Sequence, residues 1–280
     1  MLKFLLVLVA LTVAGCATSS GVREFQTYAK IFDEVVEASD TVLNEMAAQE
    51  RKQRIRALDG KSISDRLERA DISVFAPSAD PPFVASLRFA VQSVATMNGV
   101  LLAYAEGQTL EVMKEDVKQL QAAGIGFETL QTSDLVSPEL VTRISQLEEG
   151  LDVLIGIGSR EAFRKELASS SDKINNLLDV VLSHSTIAFR TLTSSEFREY
   201  QTAQFTNAAR AAELRQKIAT KREMLAEWLH LIELSQQALN KAIAASVEKP
   251  GLEYRLVNTA VLLGDMKARA DRIKRLAAQN

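Results

Sequence analysis

Between Ser159 and Lys249 the chain runs for 91 residues without a glycine or a proline. Glycine and proline are the residues that most strongly interrupt helices, so a run of this length favours long helices over short strands joined by tight turns. The segment Thr193-Ser194-Ser195-Glu196 matches a capping box, in which Thr193 caps a new helix and Glu196 reaches back to it. We therefore predict one helix of about 30 residues before this point and one of about 50 residues after it.

The second of these predicted helices carries an apolar stripe along one side over its whole length. Apolar residues recur there at intervals of three and four, which is the spacing of a helix face packed against a core. Pro250-Gly251 then predicts a turn into a last helix from Leu252 to about Ala278. The stripe consists of Phe197, Tyr200, Phe205, Ala208, Ala212, Leu214, Ile218, Leu225, Trp228, Ile232, Leu239 and Ile243.

The first part of the chain has the same helical character, here with a seven-residue repeat. Two interleaved series of residues recur at every seventh position from residue 25 onward, which indicates a coiled-coil-like stripe. Further along, Asp80 is a favourable N-cap and Pro81 suits a first helical position, so we expect a helix from about 81 to 106. Ser137-Pro138 is a start signal of the same kind. The two series are Phe25, Phe32, Ser39 and Met46, and Tyr28, Val35 and Val42.

These patterns together predict the fold class. No stretch of useful length alternates between apolar and polar residues, so no strand is expected. With 47% hydrophobic residues, the chain has enough apolar side chains for a sizeable core. The sequence predicts an all-α fold, an elongated bundle of about six or seven helices with long antiparallel, coiled-coil-like members. We assign residues 22–280 to a single helical-bundle domain.

Residues 1–15 have the organisation of a signal peptide. Lys3 is followed by an almost unbroken apolar run from Phe4 to Ala14. Eleven helical residues span only about 16 Å, half of the hydrocarbon core of a bilayer, so this run is too short to be a stable membrane span. It leads into Val13-Ala14-Gly15-Cys16, an aliphatic residue, two small residues and a cysteine. This segment resembles the lipobox of bacterial lipoproteins.

The resemblance implies a specific processing of the N-terminus. In bacterial lipoproteins the cysteine thiol receives a diacylglyceryl group, signal peptidase II cuts before that cysteine, and the new amino terminus usually gains a further acyl chain such as palmitate. Residues 1–15 would then be removed, Cys16 would be the lipidation site, and residues 16–21 would include a short tether. Ala17 stands where an aspartate usually retains such proteins in the inner membrane, so the family analogy favours the outer membrane, facing the periplasm.

Charge and residue chemistry give little support for catalysis or cofactor binding. A formal charge of −3 gives the chain no global reason to bind nucleic acid. Glu227 and His230 have the Glu-x-x-His spacing of di-iron bundles, but the second pair that such a site needs is missing, because Val181 stands three residues before the other histidine, His184. We predict no enzymatic activity, no cofactor and no metal, with Glu227 and His230 as weak metal candidates.

The segment Phe83–Ala105 has two possible interpretations. Arg88 is its only charged residue, so its length and composition would suit a membrane-inserting helix. Arg88, Gln92 and Thr96 form a single narrow polar edge, however, which is typical of a helix buried on most sides. We predict a central helix of the bundle and keep a membrane-active segment as the alternative.

Basic residues cluster near the C-terminus, in the last predicted helix. We expect them to offset the helix dipole and to pair with Asp265 and Asp271. Contact with an anionic surface is the alternative. These basic residues are Lys267, Arg269, Arg272, Lys274 and Arg275.

The sequence as a whole predicts a lipid-anchored helical binding or scaffolding protein. The membrane would be contacted through acyl chains on Cys16, and a protein or another component of the cell envelope would be the partner. A second copy of the chain is a further possibility, because long apolar stripes can be covered within one chain or between two. The alternative function is that of an α-helical pore-forming protein that uses the apolar helix 83–105.

Overall fold

The structure is a computed structural model, and it describes residues 22–59, 75–76, 78–106, 117–118, 136–156, 160–247 and 252–279. Within these ranges the chain forms seven helices of more than one turn and no strand, so the predicted all-α bundle is confirmed. The signal peptide, Cys16 and the tether, residues 1–21, lie outside the described residues. The helices are α1 (Val22–Asp59), α2 (Pro82–Glu106), α3 (Pro138–Gly156), α4 (Arg160–Ser183), α5 (Ser185–Thr206), α6 (Ala208–Val247) and α7 (Leu252–Ala277).

Helices α5 and α6 form an antiparallel hairpin that reverses at Asn207. The Arg210 side chain, near the start of α6, donates to Glu199 near the end of α5 (2.7 Å), and Lys221, farther along α6, donates to the carbonyl of Leu192 (3.1 Å). Asn207 itself is extended and ends α5. Its side-chain oxygen accepts a hydrogen bond from the Arg210 amide (3.0 Å), so it also caps the start of α6.

The predicted break at Thr193–Glu196 is wrong, because α5 passes through it without interruption. The Thr193 hydroxyl donates back to the Phe189 carbonyl one turn earlier (2.7 Å) instead of capping a new helix. Glu196 accepts a hydrogen bond from Lys221 of α6 (2.7 Å). Threonine can satisfy its hydroxyl inside a helix in this way, so tertiary contacts decided between two local solutions. The actual interruptions are at His184 and Asn207.

Helix α1 packs along the hairpin, running parallel to α5 and antiparallel to α6. Gln53 donates to the carbonyl of Thr191 (3.0 Å) and Arg56 donates to Ser195 (3.3 Å), so residue numbers increase in the same direction along both helices. Every residue of the predicted seven-residue repeat in α1 is buried, which confirms that stripe. Helices α2 and α7 also pack on α1.

Helix α2 begins at Pro82, one residue later than predicted, and its cap comes from another helix. Glu50 of α1 accepts hydrogen bonds from the amides of Phe83 (3.3 Å) and Val84 (3.1 Å). The predicted cap, Asp80, instead forms an ion pair with Arg88. A buried carboxylate at the positive end of a helix satisfies two amides that would otherwise lack partners.

Most faces of α2 are buried in the core, and a polar edge remains in contact with solvent, as the sequence predicted. Arg88 lies at that edge, where it pairs with Asp40 of α1 as well as with Asp80. Gln92, one turn later, is exposed. None of the described helices combines the length and the apolar character needed to cross a membrane.

Candidate functional site

The weak metal candidates Glu227 and His230 take part in separate interactions on α6. One oxygen of Glu227 pairs with Arg269 of α7, and the other lies 3.4 Å from Arg272. The Nδ1 atom of His230 lies 3.0 Å from Glu233, one turn further along the same helix. In the described part of the chain, no three histidine, cysteine, aspartate or glutamate side chains are grouped so that they could hold a metal ion.

The C-terminal basic residues connect α7 to its neighbours. Arg269 and Arg272 pair with glutamates of α6, and Lys274 lies 2.9 Å from Glu37 of α1. The predicted direct partners, Asp265 and Asp271, lie on the same helix as the cations, whereas the ion pairs of Arg269, Arg272 and Lys274 join different helices. These cations therefore help to hold α7 against α1 and α6.

A groove of about 520 Å³ lies between α1 and α7. Lys30 and Lys267 line it together with Glu34 and Asp271, and apolar side chains form the rest of its wall. Two cations and two anions in so small a space offset each other. The groove therefore carries no charge preference that would select a ligand.

The outer end of the α5–α6 hairpin, residues 197–217, packs separately from the main core, and we call it the hairpin tip. Phe205, in the last turn of α5, has 84% of its surface exposed, and Phe197 has 48% exposed. Because both residues lie on the part of the hairpin that packs separately from the main core, we take the tip as the candidate contact surface. The small apolar cluster that holds the tip together consists of Ala203, Ala211 and Leu214, with the partly buried Tyr200.

The exposure of Phe197 and Phe205 corrects part of the predicted stripe. The sequence pattern predicts that both residues share one long helix with Trp228, but the chain reverses at Asn207. Residues before and after that point belong to two helices, whose buried faces are set independently. Inside α6 the stripe is buried at six positions and half-buried at Ile243, but Ala208 and Ala212 are exposed, so the prediction is wrong there as well. The six buried members are Leu214, Ile218, Leu225, Trp228, Ile232 and Leu239.

The hairpin tip carries a net positive charge that its own carboxylates do not balance. Both of its glutamates are in ion pairs: Glu199 with Arg210 (2.6 Å), and Glu213 with Arg210 (2.7 Å) and Lys217 (3.0 Å). The remaining cations, Arg198 and Arg215, pair with no carboxylate of the described residues. Arg215 instead donates to the Tyr200 hydroxyl (3.0 Å) and lies over the Tyr200 ring.

A buried charge cluster lies where the tip joins the rest of the bundle. Lys221 of α6 is only 2% exposed, and its ammonium group has three oxygen neighbours: Glu196 (2.7 Å), Glu45 (2.9 Å) and the Leu192 carbonyl (3.1 Å). An ammonium group has three N–H donors, so these three oxygens satisfy it completely. The cluster joins α1, α5 and α6.

The charge of Lys221 determines the ionisation of its neighbour Glu45. Burial by itself raises the pKa of this carboxyl, but the hydrogen bond and the positive charge of Lys221 together lower the pKa below its usual range. Glu45 is therefore held as a carboxylate. Removing one member of a buried ion cluster strongly destabilises the fold, because it leaves an uncompensated buried charge. The cluster therefore fixes the position of the hairpin against α1.

Lys221 is not among the residues predicted above to be functional, although the sequence carries a signal for this cluster. Lys221 stands three residues after Ile218 and seven before Trp228, so it occupies a position of the buried stripe. A lysine in such a stripe requires buried acceptors. Which acceptors they are depends on how α1 and α5 approach α6, and the sequence does not specify that.

The two ends of the bundle lie far apart. Helix α1 extends from Val22 to Arg56, about 51 Å at 1.5 Å per residue, before Arg56 reaches Ser195 of α5. Because α5 is parallel to α1, its remaining residues up to Thr206 add roughly 16 Å in the same direction. The start of α1 and the hairpin tip are thus at opposite ends of the molecule.

Comparison of the chain with protein-family models, with curated proteins and with solved structures gives no significant match.

Proposed function

We propose that this protein is a lipid-anchored helical scaffold of the bacterial outer membrane that faces the periplasm and has no catalytic role. Acyl chains on Cys16 would fix the N-terminal end of the bundle to the bilayer. The hairpin tip would present its surface to another component of the cell envelope. The proposal combines the lipobox resemblance of Val13-Ala14-Gly15-Cys16 with one structural observation, the position of the tip at the end of the bundle opposite to Val22.

The distances agree with such a role. Five residues, 17–21, separate Cys16 from the first described helix, and even fully extended they span no more than about 18 Å. The start of α1 would therefore be held close to the bilayer surface. The tip would lie up to roughly 65–70 Å further away, on a hairpin whose two helices are joined by ion pairs and by the Lys221 cluster.

The anchor is tested by separating cells into soluble and membrane fractions. Wild-type protein is expected in the membrane fraction and the Cys16→Ser variant outside it, whereas Ser19→Ala, a control change three residues away, should behave as wild type. Membrane association of Cys16→Ser equal to that of wild type would contradict the anchor. Separation of inner from outer membranes then tests the second part of the proposal.

The role of the tip is tested by photo-crosslinking in intact cells. A photoreactive amino acid in place of Phe205 is expected to give a defined crosslinked product, and the same substitution at Val153, an exposed position on α3, is expected to give none. Equal products from both positions would contradict a specific role of the tip. Release of an entrapped dye from liposomes by the purified protein would instead support the alternative, a pore-forming protein that uses residues 83–105.

A further inference from the structure

We propose that the hairpin tip binds the anionic phospholipid surface of a second bilayer, so that the protein connects two membranes. This inference rests on the proposed function, because it names the envelope component that the tip would contact. Three observations support it: the charge of the tip, the exposure of its aromatic side chains, and the distance of its arginines from Phe205 along the hairpin.

The charge of the tip is opposite to that of the chain. Residues 197–217 contain four arginines and lysines and two glutamates, a net charge of +2, whereas the whole chain has −3. Both glutamates are already in ion pairs with cations of the tip. Arg198 and Arg215 are exposed and pair with no carboxylate among the described residues. An anionic surface would complement these two guanidinium groups, which bind phosphate well.

The arrangement of these residues matches the depth profile of a lipid surface. Phe205 lies one residue from the end of α5 and is 84% exposed. Arg198 precedes it by seven residues, or about 10 Å along the helix axis, and the guanidinium group of Arg215 contacts the side chain of Tyr200, five residues before Phe205. Apolar side chains at membrane surfaces reach about 5–10 Å into the boundary between headgroups and acyl chains. With Phe205 at that depth, both arginines would be level with the phosphates.

The tip is the turn of a helical hairpin, and we infer that its partner is a bilayer rather than a protein. The exposed residues around Phe205 carry no charge, and they include Gln201, Gln204 and Asn207. One phenylalanine and two arginines bind a membrane only weakly by themselves. Attachment of the other end would raise the effective concentration of the tip at a facing bilayer.

The test uses the full chain coupled to beads through the thiol of Cys16, the only cysteine in the chain. In this orientation the tip points into solution, and no lipidation is required. The beads are mixed with fluorescent vesicles of phosphatidylcholine alone or of phosphatidylcholine with 30% phosphatidylglycerol. We expect the wild-type beads to capture at least tenfold more of the anionic vesicles than of the neutral ones.

Variants identify the residues responsible. We expect Phe205→Ser to reduce capture of anionic vesicles at least threefold, and the double variant Arg198→Glu with Arg215→Glu to reduce it at least fivefold. The matched controls are Val153→Ser and the double variant Lys241→Glu with Arg275→Glu. They likewise replace an exposed apolar residue with serine and two exposed cations with glutamate, but outside the tip. Residues 1–21 are identical in every variant, so a difference between variants reports on the tip.

The outcomes separate this inference from the proposed function. Equal capture of neutral and anionic vesicles, tip variants that bind as wild type does, or a control double variant as defective as the tip double variant would each overturn the inference. None of these results bears on the anchor, which the fractionation of Cys16→Ser tests independently. Circular dichroism of each variant establishes that it is folded.

Discussion

The indole Nε1 of Trp228 donates a hydrogen bond to the hydroxyl of Ser39, and the two residues lie 2.8 Å apart although 189 positions separate them in sequence. Ser39 in turn donates to the carbonyl of Val35 in its own helix (2.6 Å). Both side chains are buried, so this pair sets the register between α1 and α6 at the centre of the core.

We expect Ser39→Ala to lower the free energy of unfolding by about 1–3 kcal/mol, because the buried indole N–H loses its acceptor. Urea denaturation followed by circular dichroism measures this change. In the background of Trp228→Phe the same serine substitution should cost less, since no indole N–H is left unsatisfied. Equal costs in the two backgrounds would contradict a coupling between the two residues.

Removal of the buried cation should be more damaging. Lys221→Met leaves Glu45 and Glu196 without their shared cation, and we expect a loss of about 3–5 kcal/mol in the free energy of unfolding at neutral pH. Lys217→Met, which removes a partly exposed cation four residues earlier, is the matched control and should cost less than about 1 kcal/mol. Similar losses in the two variants would show that the cluster is not buried as described.

The same cluster predicts an effect of acid. The pKa of Glu45 is lowered in the folded state, because the hydrogen bond and charge of Lys221 outweigh the burial that raises it. Its stabilising contribution is therefore complete above the ordinary pKa of a glutamate and is lost as pH falls through the lowered value. We expect wild-type protein to lose stability relative to Glu45→Gln as pH falls through the range in which glutamates titrate, measured by urea denaturation. No change in this difference with pH would contradict the assignment.

Glu50 should behave in the opposite way. Burial raises its pKa, although the amides of Val84 and Phe83 and the charge of Arg54 oppose that rise. Its contribution is then fully present below the ordinary glutamate pKa and decreases as pH rises through the raised value. Between acidic and neutral pH, wild-type protein should therefore lose stability relative to Glu50→Gln. A stability difference that stays constant between acidic and neutral pH would contradict this assignment.

The exposed aromatic residues of the tip should be dispensable for folding. We expect Phe205→Ser to change the free energy of unfolding by no more than about 0.5 kcal/mol, because so exposed a side chain buries little surface in the folded state. Leu214→Ala, in the buried cluster of the same tip, should cost about 2–4 kcal/mol. A large loss from Phe205→Ser would mean that this residue supports the fold rather than a contact surface.

The α1 stripe could be predicted from the sequence because a seven-residue repeat already contains the period of a packed helix. All seven of its members are buried, from Phe25 to Met46. The polar edge of α2 at Arg88 and Gln92 was predictable for the same reason. Phe197 and Phe205 were not, because the position at which the chain reverses, Asn207, gives only a weak local signal, whereas the Thr193–Glu196 segment gives a stronger one.

The sequence alone determined the all-α class, the helical periodicity and the faces that α1 and α2 bury, because these follow from local spacing and composition. Only the tertiary structure decided which helix caps α2, which oxygens surround Lys221 and which end of the molecule carries exposed aromatic residues. Each of these features depends on side chains far apart in the sequence. Glu50 meets the amides of α2, and Glu45 meets Lys221, only after the helices have packed, and no local pattern encodes that approach.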